Sequence, residues 1–394
     1  MSNPTVAVLF GGRSVEHEVS VISGHQVMDA LDQAGFPVLP IYITKQGDWY
    51  AGEGLDNLDL YREQTFHAAG VKNVFRVSLS PDRSVRQLVV HPGAAGGLLS
   101  KPPRLWADVF FPMIHGSHGE DGSLQGLFDL ADVPYVGSGI LASSLGMDKV
   151  RTKVVLDQAG IRNLHCIVVS RADWENDPDA FVAVVEAKHR YPVMVKPVSL
   201  GSSIGVSSCA DRAALRDALE LALELDVRAL VEDALTDFIE INCSVLGPPE
   251  RASACEQPVR SESVLSFDDK YKHGGGKKLG RGAAASTGMA GLQRQVPAPI
   301  GDALTAEVQE LAIRAFRAID ASGVVRVDFL YDRSKARLLL NEINTIPGSL
   351  SYYLWEEEGL RFDQLVARLV AIALERHENR RATVYSFSAN LLTR

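Results

Sequence analysis

Several protein classes are excluded by what this chain lacks. It has four cysteines in 394 residues, Cys166, Cys209, Cys243 and Cys255, and no C-x-x-C pair among them. That argues against a zinc ribbon or a disulfide framework and reads as the reduced thiols of a cytoplasmic protein. Basic residues are in deficit, 40 Lys and Arg against 49 Asp and Glu, for a net charge of −9. A general nucleic-acid binder is therefore not expected, although a local basic groove stays possible. No apolar run approaches the ~20 residues of a membrane helix, so no membrane association is expected. The opening MSNPTVAVLF lacks the basic and long apolar regions of a signal peptide. There is no G-x-x-x-x-G-K-[ST] loop, and Gly137-Ser138-Gly139 lacks the third glycine of a dinucleotide fingerprint. What is present is 46% hydrophobic and 23% charged, ordinary for a soluble globular chain and too apolar for disorder.

At roughly 100–200 residues each, two or three domains are expected. Residues 5–10 (TVAVLF) form an apolar run ended by Gly11 and Gly12, as in a strand buried on both faces. A helix follows, with Val19, Ile22, Val27, Met28 and Leu31 near helical spacing and Gly35 as its stop. Residues 36–43 predict the next strand. This βαβ start implies a wound, parallel sheet. Residues 51–105 show only short apolar stretches such as 87–90 and are read as an elaboration of the first domain. Residues 107–114 predict another buried strand that runs into the glycine-rich turn 115–122 and a helix.

A second region starts near Gly137, with helices at 149–159 and 178–189 and strands at 166–169 and 193–196. A third starts near Leu230. It holds a strand at 238–246, an amphipathic helix at 304–319, and strands at 324–331 and 336–344 joined by a polar turn. The helix places Leu304, Val308, Leu311, Ala315 and Ile319 on one face. The expected division is 1–137, 138–231 and 232–394. Residues 273–291 (HGGGKKLGRGAAASTGMAG) read either as a surface linker or as a mobile cationic lid over an anionic ligand.

Three constellations carry chemistry. Strand alternation puts Arg326 and Asp328 on one face and Val325, Val327 and Phe329 on the other. Glu342 and Asn344 share a face in the same way. A hairpin would gather Asp328, Glu342 and Asn344 beside Arg326, a hard-oxygen set suited to Mg²⁺ and phosphate; a solvated polar sheet face is the alternative. In 196–203 (KPVSLGSS), glycine and serine can offer N–H and O–H groups to an anion, with Lys196 as a point charge. An ordinary hairpin turn is the alternative there. Finally, the glycine-rich ends 11–18 and 115–122 lie where wound sheets bind ligands. Glu16 or Glu120 could meet an ammonium group there, with His115 orienting it; a hydrogen-bonded turn histidine is the alternative, and the favoured one for either loop taken alone.

Together these stretches resemble the D-alanine–D-alanine ligases of the ATP-grasp superfamily. The matching segments are 8–20 (VLFGGRSVEHEVS), 115–126 (HGSHGEDGSLQG), 134–139 (PYVGSG), 147–149 (MDK), 195–197 with 201–205, 326–329 (RVDF) and 341–348 (NEINTIPG). They occur in family order. The resemblance implies a three-domain α/β ATP-grasp fold with an N-terminal wound domain. It implies an enzyme that phosphorylates one D-alanine carboxylate with ATP and lets a second D-alanine amine attack, making a dipeptide for the cell wall.

By the same resemblance, Glu16 would hold the first substrate's ammonium with His115 nearby. Lys149 and Lys196 would contact ATP phosphates beside Ser202 and Ser203, and Glu232 and Glu240 would be the adenosine-side acids. Lys270 and Tyr271 would belong to a mobile loop tied down by Glu16 and Ser202. Asp328, Glu342 and Asn344 would bind two Mg²⁺ ions, with Mn²⁺ as a substitute. Arg326 and the Gly348 N–H would stabilise the oxyanion. A homodimer in the cytoplasm, without nucleic-acid or membrane partners, is the expected state.

Three departures stand out. After Gly348 the family usually places a Thr and then a Ser that grips the second substrate's carboxylate. Here the run is Ser349-Leu350-Ser351-Tyr352-Tyr353-Leu354-Trp355, leaving Ser351, Tyr353 and Leu354 as candidates for that pocket. The loop around Lys270 is unusually glycine-rich and basic, and a tail from His377 extends past the usual end. The first departure motivates an alternative acceptor, D-lactate, D-serine or another amino acid. A non-catalytic nucleotide-binding homologue is the remaining reading.

Overall fold

A computed structural model describes residues 3–61, 66–68, 71–85, 87–91, 103–259 and 294–386. Lys270, Tyr271, the 273–291 segment and the residues from 387 onward lie outside the described residues. The described strands form three sheets.

The first sheet holds β1 (Val6–Gly11), β2 (Val38–Ile43), β3 (Trp49–Ala51), β4 (Phe75–Ser78), β5 (Val89–Val90) and β6 (Val109–Pro112), in the order β5-β4-β3-β2-β1-β6. The predicted apolar runs are its parallel centre, with β2 and β6 on either side of β1. Residues from the stretch left unassigned by sequence supply β4 and β5, part of an antiparallel wing. Strands of two and four residues are too short to display a period. The helix His17–Gln33 ends as predicted at Gly35, in a Schellman arrangement. Gly35 N–H donates to the Asp32 carbonyl and Phe36 N–H to that of Leu31, at 2.8 and 3.0 Å, and Gly35 adopts φ +77°.

Of the tail read from His377 onward, the residues up to Arg381 continue the last helix, Phe362–Arg381. Its Leu365, Val366 and Leu369 share one core with Val8, Phe10 and Leu31 of the first sheet and its helix. Arg376 donates to the Gly137 and Tyr135 carbonyls. The helix Phe362–Arg381 thus closes back on the first sheet, because an apolar helix stripe is stable only against another apolar face.

The second sheet is antiparallel, with β7 (Cys166–Ser170), β8 (Val193–Pro197), β9 (Ser207–Cys209) and β10 (Arg228–Asp233) in the order β7-β10-β8-β9. Val193, Val195, Ala229 and Val231 pack on the helices Pro178–Lys188 and Arg212–Leu225. Alternation therefore sends Lys196 and Glu232 to the opposite face.

The third sheet contains β11 (Phe238–Gly247), β12 (Arg251–Pro258), β13 (Arg294–Gln295), β14 (Gly323–Asp332) and β15 (Arg337–Asn344), antiparallel in the order β13-β12-β11-β14-β15. The helix Asp302–Ala318 covers its apolar face, where Val308, Ala315 and Phe316 meet Val325, Val327 and Phe329. Burying each of these valine and phenylalanine side chains contributes about 1.5–3 kcal/mol. Ile319 joins this core, and Leu304 and Leu311 pack at its edge. The predicted β14–β15 hairpin forms, with Arg326 opposite Asn344 and Asp328 opposite Glu342.

Candidate active site

The polar face of β14 and β15 is a buried ionic cluster. Arg326 donates from Nε and Nη2 to the two Asp328 oxygens at 2.6 and 2.7 Å. Asn344 Nδ2 donates to Asp328 Oδ2 at 3.0 Å. Burial opposes the Arg326 charge, but the Asp328 carboxylate outweighs it and holds the guanidinium well above the ordinary arginine range. Among the described residues no group of three or more His, Cys, Asp and Glu forms a metal cage. The donors fit Mg²⁺ in another way: it commonly takes one or two carboxylates and completes its shell from phosphate and water. Asp328 and Glu342, a direct cross-strand pair, with the Asn344 carboxamide on the same face, are such a set.

The second sheet and the helix Lys149–Gln158 each contribute a lysine to this region. Lys149 starts the helix Lys149–Gln158, which is capped by Asp148. Its Nζ donates to the Leu200 carbonyl at 2.5 Å and lies 4.0 Å from Glu342 Oε2. Burial pushes the Lys149 pKa down, and Glu342 offsets only part of this. Lys196 Nζ lies 2.5 Å from Glu232 Oε1 and donates to Asn341 Oδ1 at 3.1 Å. Burial lowers the Lys196 pKa, but Glu232, Glu342 and Glu240 together raise it above the ordinary value.

The other Glu232 oxygen lies 2.9 Å from Lys153 Nζ. Burial would raise the Glu232 pKa, yet the two lysines bring it down to about 2. The structure therefore places Glu232 as the shared counter-ion of Lys153 and Lys196. Sequence reading missed Lys153. Its position four residues after Lys149, on the same helix face, was the available signal.

The loops after β1 and β6 meet the serine loop of the second sheet. Ser202 Oγ donates to Glu16 Oε1, as the resemblance implies. A Cβ on Gly116 would lie 2.6 Å from Glu16 Oε2, and one on Gly201 2.9 Å from it, so both positions need glycine for the carboxylate to be approached. Ser202 and Ser203 have φ of 53° and 59°, an uncommon backbone for residues with side chains. Residues 201–205 spell G-x-S-x-G. They lead from one strand to another, however, and not into the helix that a hydrolase elbow requires.

His115 and Glu120 are engaged by protein groups. His115 Nδ1 lies 2.9 Å from the Ile346 carbonyl oxygen and Nε2 3.0 Å from Ser23 Oγ. Burial pushes its pKa down to about 4. Glu120 accepts from the Gly116 and Ile346 N–H groups, each at 2.8 Å. Burial and the neighbouring Glu16 push its acid up to about 8.

The departing segment after Gly348 is unusual in backbone as well as sequence. Ser349, Leu350 and Ser351 have φ of 52°, 51° and 49°, and the buried Ser349 and Ser351 hydroxyl oxygens find no hydrogen-bond partner among the described residues. Leu354 is fully buried. The Tyr353 hydroxyl donates to Glu256 Oε1 at 3.1 Å, and the Arg294 guanidinium lies 3.8 Å from the Tyr353 ring centroid. Arg294 also donates to Glu256 Oε2 at 2.9 Å, and Asn242 to Oε1 at 3.0 Å. Sequence reading missed Glu256, Arg294 and Asn242. Asn242 is opposite both Glu256 and Asp328, so the polar row from β15 runs on to β12.

Comparison with known proteins decides the family. Models described as "D-ala D-ala ligase N-terminus" and "D-ala D-ala ligase C-terminus" match residues 5–138 and 155–371. The chain belongs to the D-alanine–D-alanine ligase family. It is 40% identical to the D-alanine--D-alanine ligase of Heliobacterium modesticaldum, over 96% of this chain and 97% of the relative. Among solved structures it is similar to the VanG D-Ala:D-Ser ligase from Enterococcus faecalis, with 31% identity, a TM-score of 0.75 and coverage of 94% and 99% of the two chains. The D-alanine-D-alanine ligase from Coxiella burnetii gives 27%, 0.75 and 97% of each chain. These neighbours share the ATP-grasp fold of the family. Every described residue of the site except Lys149 and Lys153 falls within a family match. No helix among the described residues is long and apolar enough to cross a membrane.

Proposed function

We propose that this chain joins two D-alanines into D-alanyl-D-alanine, with ATP converted to ADP and phosphate, for peptidoglycan precursor synthesis. The observation that carries this reading is the convergence of three sheets. Glu16 meets Ser202, Lys149 lies beside Glu342, and Lys196 bonds Asn341 next to the Arg326–Asp328–Asn344 cluster. Such a place suits phosphoryl transfer, which needs positioning and charge neutralisation more than a protein nucleophile.

In this reading Glu16 holds the ammonium group of the first D-alanine, and Lys149 and Lys196 face the ATP phosphates. A carboxylate oxygen of that D-alanine attacks the γ-phosphorus and ADP leaves, giving D-alanyl phosphate. The amine of the second D-alanine then attacks the acyl carbon, loses a proton, and expels phosphate. Arg326 and the Gly348 N–H stabilise the oxyanion of the tetrahedral intermediate. Asp328, Glu342 and Asn344 would hold the divalent cations, two in this reading, which neutralise phosphate charge when bound. Tyr353, Arg294 and Ser351 border the acceptor side. The working division is 1–137, 138–231 and 232–394, except that the last helix packs on the first sheet. A cytoplasmic homodimer completes the proposal.

The test is phosphate release from ATP and Mg²⁺ with D-alanine alone, with the product mass read from the same tube. D-alanyl-D-alanine is the expected product. Turnover only with a second acceptor, such as D-serine or D-lactate, would reassign the acceptor pocket. No turnover with any acceptor would overturn the enzyme reading.

A further inference from the structure

We propose that His115 and Glu120 are positioning residues that clamp the Ile346 backbone on both sides and so set the segment from Asn344 to Gly348, instead of meeting the substrate's ammonium group. The proposal deepens the reading above and rests on it for the roles of Asn344 and Gly348. Both backbone polar groups of Ile346, which belong to the peptides on either side of it, are taken: its N–H donates to Glu120 Oε1 at 2.8 Å, and its carbonyl accepts from His115 Nδ1 at 2.9 Å. A carbonyl can only accept, so the proton must sit on Nδ1. Nε2 is then an acceptor, and it is met by the Ser23 hydroxyl at 3.0 Å. With both nitrogens bound to protein and the ring almost fully buried, His115 has no nitrogen left for a substrate.

The rest of the network points the same way. The His115 N–H donates to Ser20 Oγ at 2.9 Å, and the Ser349 N–H donates to Ser23 Oγ at 3.3 Å. Ser23 thus receives from Ser349 and gives its own proton to His115. The clamp joins residues far apart in sequence: the loop after β6 and the first helix hold a segment that follows β15. The residues it adjoins, Ser349 to Ser351, are all in left-handed backbone. Conformations of that kind persist only where the surroundings over-determine them. One residue, Thr345, separates Ile346 from Asn344 on one side, and one, Pro347, separates it from Gly348 on the other. Two flanking peptides that cannot rotate therefore fix both the metal-side ligand Asn344 and the oxyanion donor at Gly348.

The experiment uses the full chain and three variants, His115→Leu, His115→Asn and Ser23→Ala. Amide hydrogen exchange over residues 345–350 reads the clamp without relying on activity. Exchange at least about tenfold faster in His115→Leu or Ser23→Ala is expected, and unchanged exchange in both would overturn the proposal.

The kinetic readout separates positioning from binding. His115→Leu should lower the kcat for dipeptide formation by about tenfold to a hundredfold, less than or up to the effect of losing an oxyanion donor outright. The KM of the first-site D-alanine should stay within about twofold. Oxygen scrambling in labelled ATP, which follows the first step alone, should persist. His115→Asn keeps an N–H near the Nδ1 position and should recover most of the rate. A tenfold rise in that KM with kcat unchanged, not rescued by Asn, would instead make His115 a substrate contact. If His115→Leu fails to fold, Ser23→Ala carries the same comparison, and unsubstituted rates in that variant would refute the clamp. Lack of dipeptide from the unsubstituted chain would sink the activity reading, while hydrogen exchange still decides the clamp.

Discussion

Glu232→Gln should cost stability on a scale the structure allows to be worked out. The Glu232 carboxylate is 1% exposed and lies between Lys153 and Lys196, at 2.9 and 2.5 Å. Its pKa falls from 4.5 to about 2. At about 1.4 kcal/mol per pH unit, that is on the order of 3 kcal/mol of folding free energy at neutral pH. Removing one partner of a buried ion pair costs roughly 3–5 kcal/mol by mutational precedent, so the two routes agree. Because the folded pKa is depressed, the contribution is complete above about 4.5 and disappears as pH falls towards 2. Thermal unfolding followed by circular dichroism at pH 7.5 should show a lower Tm, by about 6–20 °C for a cooperative unit of 150–250 residues. The double variant Glu232→Gln with Lys153→Met should recover part of the loss, since it removes one stranded cation along with its partner. A single variant within about 1 kcal/mol of the unsubstituted chain would refute the reasoning.

Four further outcomes are expected. Asp328→Ala or Glu342→Ala should lower dipeptide turnover by at least about a thousandfold, the scale of losing a main electrostatic element; full activity in either would remove the metal assignment. Gly116→Ala should raise the KM of the first D-alanine at least about tenfold, because the new Cβ would lie 2.6 Å from Glu16 Oε2 in a φ +75° backbone, and steady-state kinetics would show it. Tyr353→Phe removes the donor to Glu256 and should change the KM of the second substrate more than that of the first; equal changes at both would place Tyr353 outside the acceptor pocket. Glu120 is raised to about 8, so the folded state keeps a proton that the unfolded chain releases near 4.5. Its contribution is therefore full below about 4.5 and is lost as pH rises towards 8. Glu120→Gln should remove that slope from denaturant-derived stabilities between pH 5 and 8.5.

Local pattern and motif were enough to read much of this molecule. The apolar run before Gly11, the stop at Gly35 and the apolar face of the helix Asp302–Ala318 are written in residue order, because strand and helix periods repeat over a few residues. Alternation along β14 and β15 was likewise enough to place Arg326, Asp328, Glu342 and Asn344 on one face. The antiparallel wing escaped notice because β4 and β5 are too short to carry a period. The return of the last helix to the first sheet escaped because an apolar stripe does not name its partner.

Long-range pairing also decided the chemistry of single residues. Glu232 looks the same in sequence whether it faces a ligand or two lysines, and only the packing of Lys153 and Lys196 shows which. His115 belongs to a recognisable motif, yet its neutral state follows from burial, and the place of its proton from an Ile346 carbonyl 231 residues away and a serine on the first helix. Residue order determined which groups were available, because backbone periodicity is local. The fold alone determined which of them lost water and met a partner, because burial and hydrogen bonding depend on distance in space.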